Sequence, residues 1–578
     1  MCGIAGIIGS SASVDRVTAM IDRLRHRGPD GAGVWSAPGV VLGHRRLSIL
    51  DLSHAADEPM VLGDHVLTYN GEIYNHQALR AELPGPWTST GDTEVLLHLL
   101  ALQGKACLHK TVGMFAFACW DEGSRRLVLA RDRLGIKPLY YQVLPDGMAF
   151  ASELKALLVL GKPQVDASAL RDFLFHGYIP APKTIYRGIS KLPAGHTLTW
   201  ESGRISVERY WEPSAELTTR TAADTVGLLD ERLRTVVPAH MLSDVPVGVF
   251  LSGGIDSAVT TYYLDRPRTY SLGFDAGDRS ELDAARAAAA HFRTVHTDMT
   301  AQAADFEQAL ATIPALFDEP FADSAAWSNY LIAQFARREV TVALSGEGGD
   351  EVFCGYPRYW SRVGARSNPL NRTLARLLPP LGRLASSMQR HAYVGLPAYA
   401  AALGGMTATQ IDDLLHPSWR ESEYDYLWFY RRFWREDLPP LARLRWLDLH
   451  TDLAEGLLTK VDRTSMAHSL EVRPPLLDHR LVEFMLSVDP ALLVDEHGRR
   501  GKLLVRQLMQ PRLPAGHLER PKSGFGLPVH RWLKRNSRVL QEAVERLMAR
   551  GVLRRPVGVE FRRAWSLLVL DRWFTAFE

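Results

Sequence analysis

The alternation of apolar and polar positions changes character once along the chain. Up to about residue 200, apolar residues come in short β-rich runs separated by glycine, at 40–42, 66–69, 114–120, 126–130 and 139–142. Runs this short, bounded by turn residues, predict strands. One stretch, 93–102, carries the three- and four-residue apolar spacing that predicts a helix. Strands following one another through short turns predict antiparallel sheets. A polar, turn-rich stretch at 201–217 (ESGRISVERYWEPSAEL) is a candidate linker. Beyond it helices alternate with short apolar strands: 245–251 reads as a buried strand leading into a helix that ends near 263, and 269–274 and 340–344 repeat the strand pattern. That βαβ order predicts a mostly parallel sheet with ligands at its carboxyl edge. The last third is rich in Trp and Leu at helical spacing.

A chain of 578 residues exceeds one ordinary core at about 100–200 residues per domain. Two domains are expected, 1–205 and 206–578. The content, 46% hydrophobic and 23% charged, is that of a globular protein, and no apolar run is long enough to span a membrane. Lys+Arg 67 against Asp+Glu 65 creates no strong field, which disfavours a nucleic-acid partner. The cysteines, Cys2, Cys107, Cys119 and Cys354, show no C-x-x-C pair or disulfide framework. The first residues lack the basic and long apolar regions of a signal peptide. The expectation is a cytoplasmic enzyme.

Cys2 is the first candidate nucleophile. Removal of Met1 would leave it N-terminal, where the α-amine, of pKa about 7.7–8.0, can accept the thiol proton. The thiolate is the competent form. The competing reading from position alone is a buried structural cysteine. The segments that follow are Cys2-Gly3-Ile4-Ala5-Gly6, Arg25-His26-Arg27-Gly28-Pro29-Asp30-Gly31, His44-Arg45-Arg46-Leu47-Ser48-Ile49-Leu50-Asp51, Tyr69-Asn70-Gly71-Glu72-Ile73-Tyr74-Asn75 and Gly91-Asp92-Thr93-Glu94. In this order they resemble the N-terminal-nucleophile glutaminase domain of class II amidotransferases. The resemblance implies an αββα sandwich that hydrolyses glutamine through a thioester at Cys2. It assigns the oxyanion donors to the Asn70 side chain and the Gly71 N–H. It gives glutamine's carboxylate to Arg46, in a segment that also supplies Leu47, Ser48, Ile49 and Leu50. Glu72 and Asp92 would receive the substrate ammonium.

A second constellation is Val247-Gly248-Val249-Phe250-Leu251-Ser252-Gly253-Gly254-Ile255-Asp256-Ser257, a strand, a Ser-Gly-Gly-x-Asp-Ser loop and a helix start. Glycines and hydroxyls at a helix N-terminus offer several donors to an anion, and the run is not a Walker A loop. It resembles the PP-loop of enzymes that cleave ATP between the α and β phosphates. Leu344-Ser345-Gly346-Glu347-Gly348-Gly349-Asp350-Glu351 joins a second strand to an acidic loop. Acidic groups beside a phosphate loop imply Mg²⁺. By resemblance Asp256 and Asp350 hold the metal, and Leu251, Ser252, Gly253, Gly254, Ser257, Leu272, Ser345 and Gly346 contact ATP. Glu347 matches a glutamate used in acceptor adenylation, and Lys502 is the expected cation on the phosphates, with Lys522 a second candidate.

Further segments, at 318–324, 460–467, 471–478, 501–506 and 520–526, extend the similarity to the asparagine synthetase family over nearly the whole chain. The implied substrates are glutamine, ATP and a carboxylate, with aspartate expected and a homodimer among the expected assemblies. Residues 275–287 match that pattern loosely, and seven arginines between Arg358 and Arg390 lie in a stretch without Asp or Glu. These leave open a different carboxylate acceptor, in specialised-metabolite or cell-envelope biosynthesis. A scaffold that has lost its chemistry is a third reading, and Cys2, the phosphate loop and Glu347 argue against it.

Overall fold

The computed structural model describes residues 2–274, 280–302, 305–360, 395–403, 405–421, 423–495, 500–520, 533, 536–555 and 561–577. Lys522, residues 275–279 of the loosely matching segment and residues 361–394 of the arginine-rich stretch lie outside them.

Twelve strands build the first unit: β1 (Gly3–Ile8), β2 (Gly31–Ala37), β3 (Val40–Arg46), β4 (Met60–Leu62), β5 (His65–Ile73), β6 (Gly113–Asp121), β7 (Arg126–Arg131), β8 (Tyr140–Leu144), β9 (Gly147–Ala151), β10 (Ile189–Lys191), β11 (His196–Glu201) and β12 (Arg204–Arg209). They form two antiparallel six-stranded sheets, in orders β10-β8-β9-β1-β3-β2 and β12-β11-β7-β6-β5-β4. Side chains alternate across a strand, and both faces here are covered. Ala116, Ala118 and Trp120 of β6 meet Ile4, Ile8 and Leu42 of the other sheet. Phe115 and Phe117 face Leu96 and Leu100 on the helix Asp92–Gln103. On the far side of the first sheet, Ala5 and Ile7 pack on Val17, Met20 and Ile21 of the helix Val14–Asp22. The layers are therefore αββα, as expected. Burial on both faces also explains why β6 reads as a continuous apolar run. The expected linker at 201–217 contains β12, which pairs along β11. The expected boundary at 205/206 thus falls inside a strand of the first unit's sheet.

The second unit is built on a parallel sheet of order β15-β14-β13-β16-β17, with β13 (Val247–Phe250), β14 (Arg268–Phe274), β15 (Val295–Ala301), β16 (Val342–Leu344) and β17 (Glu471–Arg473). From β13 the chain runs out to one side through β14 and β15, then returns to β16 on the other. The carboxyl ends of β13 and β16 therefore flank the switch point where such sheets bind ligands. Helices cover this sheet and extend beyond it.

The units share a core: Leu170 and Phe173 of the first unit cluster with Ile313, Trp327, Leu568 and Trp573 of the second. A buried ionic lattice lies beside it. Arg27 Nη1 is 2.8 Å from both Glu153 and Asp462, and Arg463 is 2.6 Å from Asp318 and 3.4 Å from Glu153. Such pairs offset their own desolvation only while complete. Among the described residues no helix is long and apolar enough to cross a membrane.

Candidate active sites

Cys2 precedes β1 and is nearly buried, 8% exposed. Its backbone N donates to Asn70 Oδ1 at 2.9 Å, which fixes the orientation of that amide. Asn70 Nδ2 is then left buried, without a partner among the described residues. A buried donor of this kind is chemically suited to an oxyanion. A Cβ on Gly71 would meet the Met114 carbonyl oxygen at 2.4 Å, so only glycine lets β5 run this close to β6 here.

Asn70 and Glu72 lie two residues apart on β5 and share a face. Glu72 Oε2 is 2.9 Å from Arg473 of the second unit, while its Oε1 is buried without a partner among the described residues. Arg473 is shared with Glu471 at 2.5 Å, and burial holds the Glu72 carboxyl above the ordinary carboxylate range. Asp92 Oδ2 accepts from the Tyr69 hydroxyl at 2.7 Å and from the Ile73 N–H at 2.8 Å, and burial raises it also.

Arg46 is held by the loop after it, donating to Ser53 O at 2.8 Å, to Asp57 at 2.7 Å and to Asp51 O. The side chains of Leu47 and Ile49 are buried with Val342 and Met466 of the second unit. Ser48 N donates to Asp30 at 2.9 Å, and Leu50 is half-buried.

Behind Cys2 lies a pair that the sequence reading passed over. Glu58 Oε2 is 3.2 Å from His44 Nδ1 and accepts from Tyr69 N at 2.6 Å. Burial pushes Glu58 up to about 8 and pulls His44 down, so burial favours the neutral form of each, and His44 Nδ1 is hydrogen-bonded with Thr68 Oγ1 at 3.1 Å. A carboxylate and a histidine 14 positions apart carry no motif, and only the pairing of β4 with β5 and of β3 with the sheet brings them together.

In the second unit β13 leads through buried Leu251 into the phosphate-type loop. Ser252 N donates to Ser257 Oγ at 3.0 Å and Gly254 N to Ser252 Oγ at 3.2 Å, which shapes the loop before the helix Ile255–Tyr262. Gly253 is half-buried and Gly254 exposed at that helix N-terminus. The 345–350 loop rests directly on it, since a Cβ on Gly349 would lie 2.4 Å from Asp256 Cγ. Gly346 packs in the same way on Ser257 N. Ser345 Oγ is buried without a partner among the described residues, and Leu272 is buried on β14.

Lys502 joins the two loops. Its Nζ lies 2.7 Å from Asp350 Oδ1 and also contacts Asp256 Oδ2. Burial would lower this ammonium, but the two carboxylates outweigh it and hold it above its ordinary range. Lys502 adopts φ 59°, a left-handed conformation that is uncommon away from glycine and is retained where surrounding contacts enforce it. Glu347 is raised by burial, opposed by Lys460. Lys460 is 2.8 Å from Asp323, so the matched segments at 318–324 and 460–467 meet the acidic loop through these two side chains.

The comparisons with known proteins agree with this architecture. Residues 1–211 match the glutamine amidotransferase domain family and residues 228–571 the asparagine synthase family. The chain is 33% identical to a protein of Mycobacterium tuberculosis provisionally named a glutamine-hydrolysing asparagine synthetase, over 92% of this chain and 88% of that one. It is 31% identical to asparagine synthetase (glutamine-hydrolysing) 1 of Bacillus subtilis, again over 92% and 88%. It is 27% identical to amidase chyE of Penicillium rubens, over 95% and 93%. A glutamine amidotransferase unit fused to an ATP-using asparagine synthase unit defines a ligase that carries out glutamine-dependent amidation, and the chain belongs to the glutamine-hydrolysing asparagine synthetase family.

Proposed function

We propose that the protein converts aspartate to asparagine, with ammonia freed from glutamine at Cys2. The Cys2 sulfur adds to the glutamine amide carbon, Asn70 Nδ2 and Gly71 N–H hold the oxyanion, ammonia leaves, and water releases glutamate from the thioester. Arg46 takes the substrate carboxylate, and Glu72 with Asp92 takes its ammonium. In the second unit an acceptor carboxylate oxygen attacks the α-phosphorus of ATP and pyrophosphate leaves. Ammonia then displaces AMP from the acyl-adenylate.

The convergence of Asp256, Asp350 and Lys502 carries the ATP half of this reading. Two carboxylates on adjacent loops, already holding a cation, are the oxygen donors a Mg²⁺ ion takes alongside substrate phosphates and water. Mg²⁺ would lower the negative charge of the phosphates there. Lys502 would neutralise charge developing on the departing pyrophosphate, and the buried Ser345 hydroxyl would meet the nucleotide. Glu347, beside Lys460 and Asp323, faces the step at the acceptor.

Aspartate is favoured by identity to asparagine synthetases along most of the chain. The amidase-named fungal relative supports a second reading, the same chemistry on another carboxylate. A pyrophosphate-release assay across small dicarboxylic and amino-acid acceptors, with ATP and Mg²⁺, separates them. Release that depends on aspartate supports the first reading, and release that depends on a different acceptor supports the second.

A further inference from the structure

Arg473 is fully buried at the end of β17 and reaches from the second unit into the first. Nη2 contacts Glu72 Oε2 at 2.9 Å and Nε contacts Glu471 at 2.5 Å. Nη1 donates to His240 O at 2.8 Å and Leu242 O at 2.6 Å, in the segment that leads into β13. Each guanidinium nitrogen is thus committed, and a planar fork held at three corners cannot swing at one without shifting the others. Its backbone is committed as well: Ser345 N donates to Arg473 O at 2.9 Å. One residue therefore touches the acid that follows Gly71 and also the first residue of the acidic loop beside the phosphate site.

We propose that Arg473 is a positioning residue that couples occupancy of the glutamine site to the placement of the 345–350 loop. The inference rests on the reading of Glu72 as the acceptor of glutamine's ammonium, and it deepens that reading. An ammonium on the unpartnered Glu72 Oε1 draws on the charge that Glu72 shares with Arg473. It thereby biases where Arg473, and with it Ser345, sits. ATP at the loop biases the same residue from the other end. Because linkage is reciprocal, each ligand tightens the other by one common factor.

The test uses the full chain with Cys2→Ala, which cannot turn glutamine over, and isothermal titration with glutamine and with Mg·ATP. In that background Mg·ATP is expected to tighten glutamine by about fivefold or more, and glutamine to tighten Mg·ATP equally. Adding Arg473→Gln is expected to bring both factors to one while each ligand still binds alone. Arg473→Lys keeps the charge without the fork and is expected to restore part of the factor. It also serves as the deciding variant if Arg473→Gln fails to fold. Equal coupling with and without Arg473, or a factor of one before it is changed, overturns the proposal. Failure of glutamine to bind at all overturns the glutamine-site reading and the coupling together, whereas binding of both ligands without coupling overturns the coupling alone.

Discussion

Lys502 Nζ sits 2.7 Å from Asp350 Oδ1 and also contacts Asp256, so one ammonium bridges both carboxylates expected to hold magnesium and offsets one of their two charges. Lys502→Met removes that cation from between two partly exposed carboxylates. Breaking a fully buried pair costs about 3–5 kcal/mol; these acids are partly exposed, so the loss should be smaller, and the variant should still melt below the unaltered protein. Added magnesium should recover part of the loss in the variant and change the unaltered protein little. Thermal unfolding with and without magnesium measures both effects.

Cys2→Ala should lower glutamine hydrolysis on the order of 10³-fold or more, because no other group supplies the nucleophile. Synthesis from ammonium salts should persist, since the second site lies in the other unit. Loss of both activities in a folded variant would contradict the division of labour.

Asp256→Asn and Asp350→Asn should raise the KM for Mg·ATP by about tenfold or more, each removing one anionic oxygen ligand. Glutaminase rates at saturating glutamine should stay within about twofold, a difference too small to signal a lost contact. Steady-state assays of the two half-reactions show whether the losses separate.

Glu58 sets a pH dependence of stability. Its folded pKa is raised to about 8 from an ordinary 4.5, so the native protein keeps a proton that the unfolded chain releases. Stability contributed at low pH is lost as pH climbs through that window, by up to about 1.4 kcal/mol per pH unit. Glu58→Gln keeps a neutral hydrogen-bonding group. Its melting temperature should therefore fall less between pH 5 and 8 than that of the unaltered protein. Parallel curves would show that Glu58 is ionised in the folded state.

Much of this was legible from residues in order. The short β-rich runs, the helix at 93–102, the two glycine-rich loops after β13 and β16 and the cysteine at position 2 are all local signals. What escaped was set by tertiary contact. β15 (VHTDMTA) has no apolar run, and β17 is three residues long, so neither announces a strand. β12 is exposed and polar, which made a sheet edge resemble a linker. The Leu47 and Ile49 side chains face the other unit, a direction no one-dimensional pattern encodes. The His44–Glu58 and Glu72–Arg473 pairs join residues whose proximity exists only once the sheets and units are packed.

If both half-reactions serve one product, glutamine, ATP and magnesium supplied with and without aspartate should show it when asparagine, AMP, pyrophosphate and glutamate are quantified together. Asparagine, AMP and pyrophosphate are expected in equal amounts only when aspartate is present, with at least as much glutamate. Glutamate formation without any aspartate-dependent pyrophosphate would contradict it.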